Sequence, residues 1–234
     1  MIAPIHESLQ SRTHSERGIT RTDVLCLAGA LTLLASVSLP LLGGLPVREN
    51  RILCANNLQI AGVALQAWAN DHGDNLPWQV SYLKGGSNGK SQTYEHWVVL
   101  SNYLDTPQIL ACPATSRKPA QRFNQMRDAQ VSYLIGSDSD LMQPGTFVSA
   151  DFDIQGGSES TCSLVGRSAT VVAFPGSFLN PEAFRVSWSR TNHVDRGNTL
   201  SADGGVRQVD SRGLRKVLAS STDSGNNSHS LMPR

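Results

Sequence analysis

VLCLAGALTLLASVSLPLLGGLPV, residues 24–47, contains no charged residue and is longer than the about 20 residues that a bilayer core requires. Ahead of it stand Arg12, Arg17 and Arg21, and behind it begins a polar chain of ordinary globular composition. Basic residues before an apolar span, with few just after it, argue for a cytoplasmic N-terminus and an exported bulk. A cleaved secretory signal has a shorter apolar region that ends in a small-x-small site. Leu42-Gly43-Gly44 offers such a site, but the run is too long for a signal. A buried helix of a globular domain carries a polar face, and this segment has no charge on any face. The expectation is a single-pass membrane helix over 19–47. Pro40, inside it, removes a helix hydrogen bond and loosens the last turns.

The next stretch, residues 48–77, reads RENRILCANNLQIAGVALQAWANDHGDNLP. Leu58, Ala61, Leu65 and Trp68 recur at helix spacing, with Ile52, Gln59, Gln66 and Asn70 elsewhere around the wheel. His72-Gly73 and then Pro77 are stop signals. One helix from about 24 to 71 is expected, apolar all round first and amphipathic afterwards. Gly43, Gly44 and Pro46 are weak helix formers and mark the junction between its halves.

Short strands and loops follow. His96–Leu100 and Gln108–Cys112 read as strands flanking a turn at Asp105-Thr106-Pro107, and Gly85–Gly89 as a loop. Val131–Gly136 alternates and ends in glycine, as a strand does. Thr146–Ala150 and Ala169–Phe174 are further strand candidates. Asn198–Ala202 and Gly205–Val209 flank Asp203-Gly204, and an Asp-Gly pair between alternating runs is a strong hairpin signal. The tail, residues 220–234, has little apolar content and reads as disordered. The fold class expected is therefore α+β. A long N-terminal helix, membrane-spanning in its first half, packs its amphipathic second half on a small antiparallel sheet with long loops.

A formal net charge of +1 gives no case for nucleic acid or an acidic partner. Of four cysteines, Cys26 lies in the apolar segment. Cys54, Cys112 and Cys162 remain, and one disulfide in an oxidising compartment would join Cys112 to either of the others. No CxxC or Cys/His cluster has zinc-ligand spacing in the sequence. Asp138, Asp140, Asp151, Asp153, His193, Asp195 and Asp203 could gather at a metal or hydrolytic site, but no ligand, triad or Walker motif organises them. The acids read as solvated or turn-capping, Asp203 as a turn residue, and His193 as a hydrogen bond pinning the loop before the last hairpin. No enzyme is expected. Trp68 and Trp97 read as core.

The flanks of the span add a resemblance. Gly18-Ile19-Thr20-Arg21-Thr22-Asp23 before an apolar helix resembles the processing site of type IV pilins and type II secretion pseudopilins. In that family a peptidase cuts after the glycine, the new N-terminus is methylated, and an acid stands fifth. Here the cut falls between Gly18 and Ile19, Asp23 is the fifth residue, and Pro40 stands where many members carry a proline. Ile19 and Asp23 replace the usual Phe and Glu, and Arg21 occupies an ordinarily apolar position. The following segment also matches. Cys54-Ala55-Asn56-Asn57-Leu58-Gln59, Gly62, Ala64, Leu65, Trp68-Ala69, Asp71, Asp74 and Pro77 look like the CxNNLKQxGxAxxxYAxDxxxxxP stretch of planctomycete and verrucomicrobial prepilin-like proteins. That group also carries a His, nine residues and Asp-Gly near its C-terminus, matched here by His193 and Asp203-Gly204. The likeness covers about 18–77 and 188–209; between them it is loose, resting on Cys112-Pro113 and Ser132-Tyr133.

This resemblance implies a leader peptide over 1–18, a transmembrane helix over 19–47, a pseudopilin-like periplasmic domain over 48–219 and a tail over 220–234. It places the chain in a bacterial inner membrane as a structural subunit of a pilus or pseudopilus. Its implied partners are other pilin or pseudopilin subunits, the prepilin peptidase, an inner-membrane assembly platform and the membrane itself, with no nucleic acid. Asp23 would pair with the methylated amine of a neighbour's Ile19, because a lone charge in lipid is costly. No cofactor is implied beyond one Ca²⁺, for which Asp151 and Asp153 are the weak candidates; the loop has no EF-hand pattern. The reading from another class is a membrane-anchored periplasmic binding or sensing domain that never polymerises. An anchored metal-dependent hydrolase would rest on the scattered acids alone.

Overall fold

The computed structural model describes residues 18–43, 45–161, 170–176, 179–190, 193, 195–222 and 227–234; the side chains of 37–48, 161 and 170 fall outside that description. The leader candidate 1–17 and Cys162 therefore lie outside the described residues, as does the side chain of Pro40. The chain divides into two compact units, Met1–Leu45 and Pro46–Arg234.

The first unit holds helix α1, Arg21–Gly43. Its start is a reciprocal cap. The Thr20 backbone N–H and hydroxyl both donate to Asp23 Oδ2, at 2.9 and 2.7 Å, while the Asp23 N–H donates to Thr20 Oγ1 at 3.3 Å. This is a capping box with aspartate in the usual glutamate position. Val24, Leu25, Leu27, Leu31, Leu33 and Leu34 are all exposed. Thr32 and Ser36 donate their hydroxyls to carbonyls of the same helix. Among the described residues no helix is long and apolar enough to cross a membrane.

Helix α2, Leu45–Asp71, opens the second unit. Over the span expected as one helix, 24–71, the described residues give α1 to Gly43 and α2 from Leu45, and Gly44 lies outside the described residues. The α2 stripe is as the spacing predicts: Cys54, Leu58, Ala61, Leu65 and Trp68 are buried, and Ile52, Ile60 and Val63 face outward. Backbone with positive φ at Gly73 and Asp74 ends the helix, and the Asp74 N–H reaches back to the Ala69 carbonyl at 2.9 Å.

The remaining elements are α3 (Thr93–Val98), β1 (Tyr133–Gly136), β2 (Phe147–Asp151), β3 (Ile154–Gln155), β4 (Ser158–Thr161), β5 (Thr170–Pro175), β6 (Ser187–Trp188), β7 (Arg196–Ser201), β8 (Val206–Asp210), α4 (Ser211–Ala219) and β9 (Asn227–Leu231). Seven strands form one sheet in the order β4-β5-β9-β1-β2-β7-β8, and β3 pairs with β6 apart from it. Among the described residues, every pairing between these strands is antiparallel. The fold class is α+β as expected, but the sheet is large rather than small.

Both faces of the sheet are covered. Side chains alternate along β1, so Tyr133 and Ile135 join the cluster under α2, with Leu58, Leu65, Trp68, Trp97 and Leu200. Leu134 faces the other way, with Phe147, Phe174, Phe184, Trp188, Leu214 and Leu218 of α4.

Three expected elements differ. The tail is not disordered where it is described: β9 lies between β5 and β1, in the middle of the sheet. Asn227–Leu231 is poor in apolar residues, yet Ser228 and Ser230 are buried. A central strand is held by ladders on both edges, and small side chains suffice between packed layers. His96–Leu100 is helical rather than extended, because Glu95 Oε2 accepts the N–H groups of Ser91 and Gln92 and starts α3. In place of the strand expected over Gln108–Cys112, Pro107–Leu110 is a tight 3-10 turn capped by Thr106.

Candidate functional site

The two stretches that carry the family resemblance are far apart in the chain and meet in the fold. Cys54, on the buried stripe of α2, is disulfide-bonded to Cys112, with Cα atoms 4.9 Å apart. Cys112 follows the Pro107–Leu110 turn, whose exit turns its side chain inward. His193, just before β7, brings its Nε2 to 3.3 Å from Cys112 Sγ and to 3.3 Å from Asp151 Oδ2 at the end of β2. The Arg51 guanidinium fixes the loop by donating to the His193 carbonyl at 2.8 Å. The pinning role expected of His193 is thus realised in part by its backbone.

Asp151 is the charged centre of this cluster. Its Oδ2 accepts the Asn198 backbone N–H at 2.7 Å and the Asn198 side-chain N–H at 3.1 Å. Burial raises the Asp151 pKa to about 7 against the lowering effect of those donors. Burial, and then the Arg51 charge, lower that of His193. Both shifts run toward the neutral forms, because burial disfavours charge on either group. Tyr133 donates its hydroxyl to the Cys54 carbonyl at 3.2 Å; burial, and then the Asp151 charge, push that phenol well above its ordinary pKa. Asp151 Oδ1, His193 Nδ1 and Asn198 Oδ1 are buried without hydrogen-bond partners.

Beside the cluster the same seam continues along α2. Gln59 donates to the Gly204 carbonyl at 2.8 Å and Gln66 to the Ala202 carbonyl at 3.3 Å. A Cβ on Gly62 would stand 2.8 Å from Leu200 Cδ1, so glycine there lets α2 lie close on β7. Asn57 donates to the Ala111 carbonyl at 3.4 Å, and Leu58 is fully buried. Asn56 is exposed and takes no part. Asp203 and Gly204 form the β7–β8 turn, Asp203 Oδ1 accepting the Gly205 N–H at 2.9 Å and Gly204 taking φ of 77°. Asp203 is a turn residue, as its sequence context predicts.

Of the other candidate acids, Asp153 accepts the Ser189 hydroxyl and is near enough for its charge to act on Asp151 and His193. The rest do not converge: Asp138 pairs with His229 and caps its N–H, Asp140 caps Met142, and Asp195 faces Arg190 at the surface. Calcium does not fit at Asp151 and Asp153. The ion takes six to eight oxygen ligands, whereas Asp151 Oδ2 is committed to Asn198 and the imidazole and Asp153 to Ser189. Among the described residues, the metal-ligating side chains that gather are Cys54, Cys112 and His193, their ligand atoms all within 4.8 Å of one another. Gly18 and Ile19 are exposed, and Asp23 serves the α1 cap.

Asn198 and Tyr133 are cluster members that reading the sequence did not single out as a site, and Asp151 was named only among the scattered acids and as a weak calcium candidate. One signal was available: Asp151 closes an apolar strand (FVSAD) whose pattern buries both faces, and a carboxylate there requires a partner. Two wider surface hollows, of about 250 and 330 Å³, are lined by Gln66, Asn70, Asp74 and Leu141 and by Met142, Pro144 and Ser220, away from the cluster. In comparisons with known proteins, no family model, no curated protein and no solved structure matches the chain.

Proposed function

We propose that the chain is a structural subunit of a pilin- or pseudopilin-like assembly, held in a bacterial inner membrane by residues 19–47 with its larger unit on the periplasmic side. The observation that carries this reading is where the resembling residues lie. Cys54, Leu58, Gln59 and Gly62 from one end, and His193 and Asp203-Gly204 from the other, line a single seam that fastens an amphipathic helix to a sheet. They make packing, disulfide and hydrogen-bond contacts away from the open hollows. Residues used in that way support a scaffold role rather than a catalytic one. The self-bonded hydroxyls of Thr32 and Ser36 suit an apolar surrounding, since they ask nothing of water.

One observation favours the second reading, an anchored domain that does not polymerise. Asp23 is already engaged by Thr20 in a local cap, a use that needs no neighbouring subunit. Mass spectrometry of the mature N-terminus separates the two. An N-methylated Ile19 supports the subunit, and an uncut chain supports the plain anchor. Replacing Asp23 with Ala is then expected to leave membrane insertion intact and abolish fibres, whereas Thr20→Ala removes the cap and spares them. Normal fibres from the Asp23→Ala chain would refute the assembly role.

A further inference from the structure

We propose that the Cys54–Cys112 disulfide covers a metal site: once reduced, the two thiolates and His193 Nε2 bind one thiophilic divalent cation of the zinc class. The geometry is close to complete. Around tetrahedral zinc, neighbouring sulfur and nitrogen ligands stand about 3.5–3.8 Å apart. Cys54 Sγ, Cys112 Sγ and His193 Nε2 lie within 4.8 Å of one another, and Cys112 Sγ is already 3.3 Å from Nε2. Asp151 Oδ2 approaches the same nitrogen at 3.3 Å.

Two thiolates and an imidazole select a soft or borderline metal over calcium or magnesium. The charge also closes, because two thiolates neutralise a divalent ion.

The step balances with a dithiol reductant. It donates two electrons and two protons, leaving as its own disulfide, and Cys54 and Cys112 become thiols. Binding the dication then releases both thiol protons, while His193 ligates neutral. Reoxidation by a disulfide-class oxidant withdraws two electrons, re-forms the S–S bond and expels the metal.

Cobalt(II) titration of the full-length chain tests this, with and without a phosphine reductant under anaerobic conditions. The reduced chain is expected to take up one equivalent, with the visible bands of tetrahedral cobalt and a near-ultraviolet thiolate-to-cobalt band, and to release it to zinc. The oxidised chain and a reduced Cys54→Ser chain are expected to show no thiolate band. A reduced His193→Gln chain is expected to keep a thiolate band and to bind zinc at least about 10-fold more weakly than the wild type. Should the reduced chain lose its fold, recovery of its circular dichroism on adding cobalt supports the site. Absence of the thiolate band, absence of that recovery, or bands that persist in Cys54→Ser each overturn it.

Discussion

Helices α1 and α2 follow one another in the chain and use apolar residues in opposite ways. α1 is apolar beyond its first turn, and its described leucines, Leu25, Leu27, Leu31, Leu33 and Leu34, are exposed. α2 mixes apolar with polar residues, but Cys54, Leu58, Ala61, Leu65 and Trp68 fall on one stripe, and that stripe is buried. Pattern rather than apolar content decides whether a helix packs on its own domain. A segment without a polar face can be satisfied only by a surrounding that is apolar on all sides. A segment with one apolar stripe needs a single surface, which the sheet supplies.

This contrast can be broken at several points. All four tryptophans, at 68, 78, 97 and 188, lie in the second unit, so their fluorescence follows its unfolding alone. Leu58→Ala is expected to lower stability in urea by about 2–5 kcal/mol, and Leu31→Ala in α1 by less than about 0.5 kcal/mol. Equal losses would end the distinction between the helices. The cysteines give the next largest difference. The Cys54–Cys112 bridge closes a loop with a sequence separation of 58, and replacing both with Ser is expected to cost about 2–4 kcal/mol. Cys26, exposed in α1 and unbridged, is expected to tolerate Ser without change.

Acidity sharpens the comparison further, because the α2 seam holds buried groups that titrate. Asp151 has a folded-state pKa raised to about 7, so between its unfolded value and pH 7 the folded state binds the extra proton. Its contribution is favourable at low pH and is lost as pH rises toward 7. His193 acts oppositely: its lowered pKa means that stability rises with pH until the ordinary imidazole value is passed. Unfolding melts from pH 4 to 8 are therefore expected to show Asp151→Asn gaining on the wild type as pH rises, and His193→Gln gaining as pH falls. Parallel profiles would mean that the pair is not buried as described. A smaller effect than at Leu58 is expected at the turn that receives Gln59. Gly204 has φ of 77°, and Gly204→Ala should cost about 1–2 kcal/mol.

Much of the fold was legible. The α2 stripe, its stop at His72-Gly73, the strands at Tyr133–Gly136, Phe147–Asp151 and Thr170–Pro175, and the Asp203-Gly204 hairpin follow from spacing and turn chemistry. The misreadings are instructive. In His96–Leu100, branched and aromatic residues suggested a strand, but Glu95 satisfied the first N–H groups and a helix began. Asn227–Leu231 lacked any apolar signal, because its place is set by the two strands that flank it.

The sequence by itself determined the uncharged run over 24–47, the periodic stripe of α2 and the hairpin turn, since each depends on residues that are neighbours or one helical turn apart. Only the tertiary structure decided that Cys112 pairs with Cys54, that His193 and Asp151 share their pocket, and that the C-terminal strand enters the middle of the sheet. Those choices join residues remote in the chain. Their energies come from burial, shared protons and paired backbone edges, which exist only after the layers have closed around them.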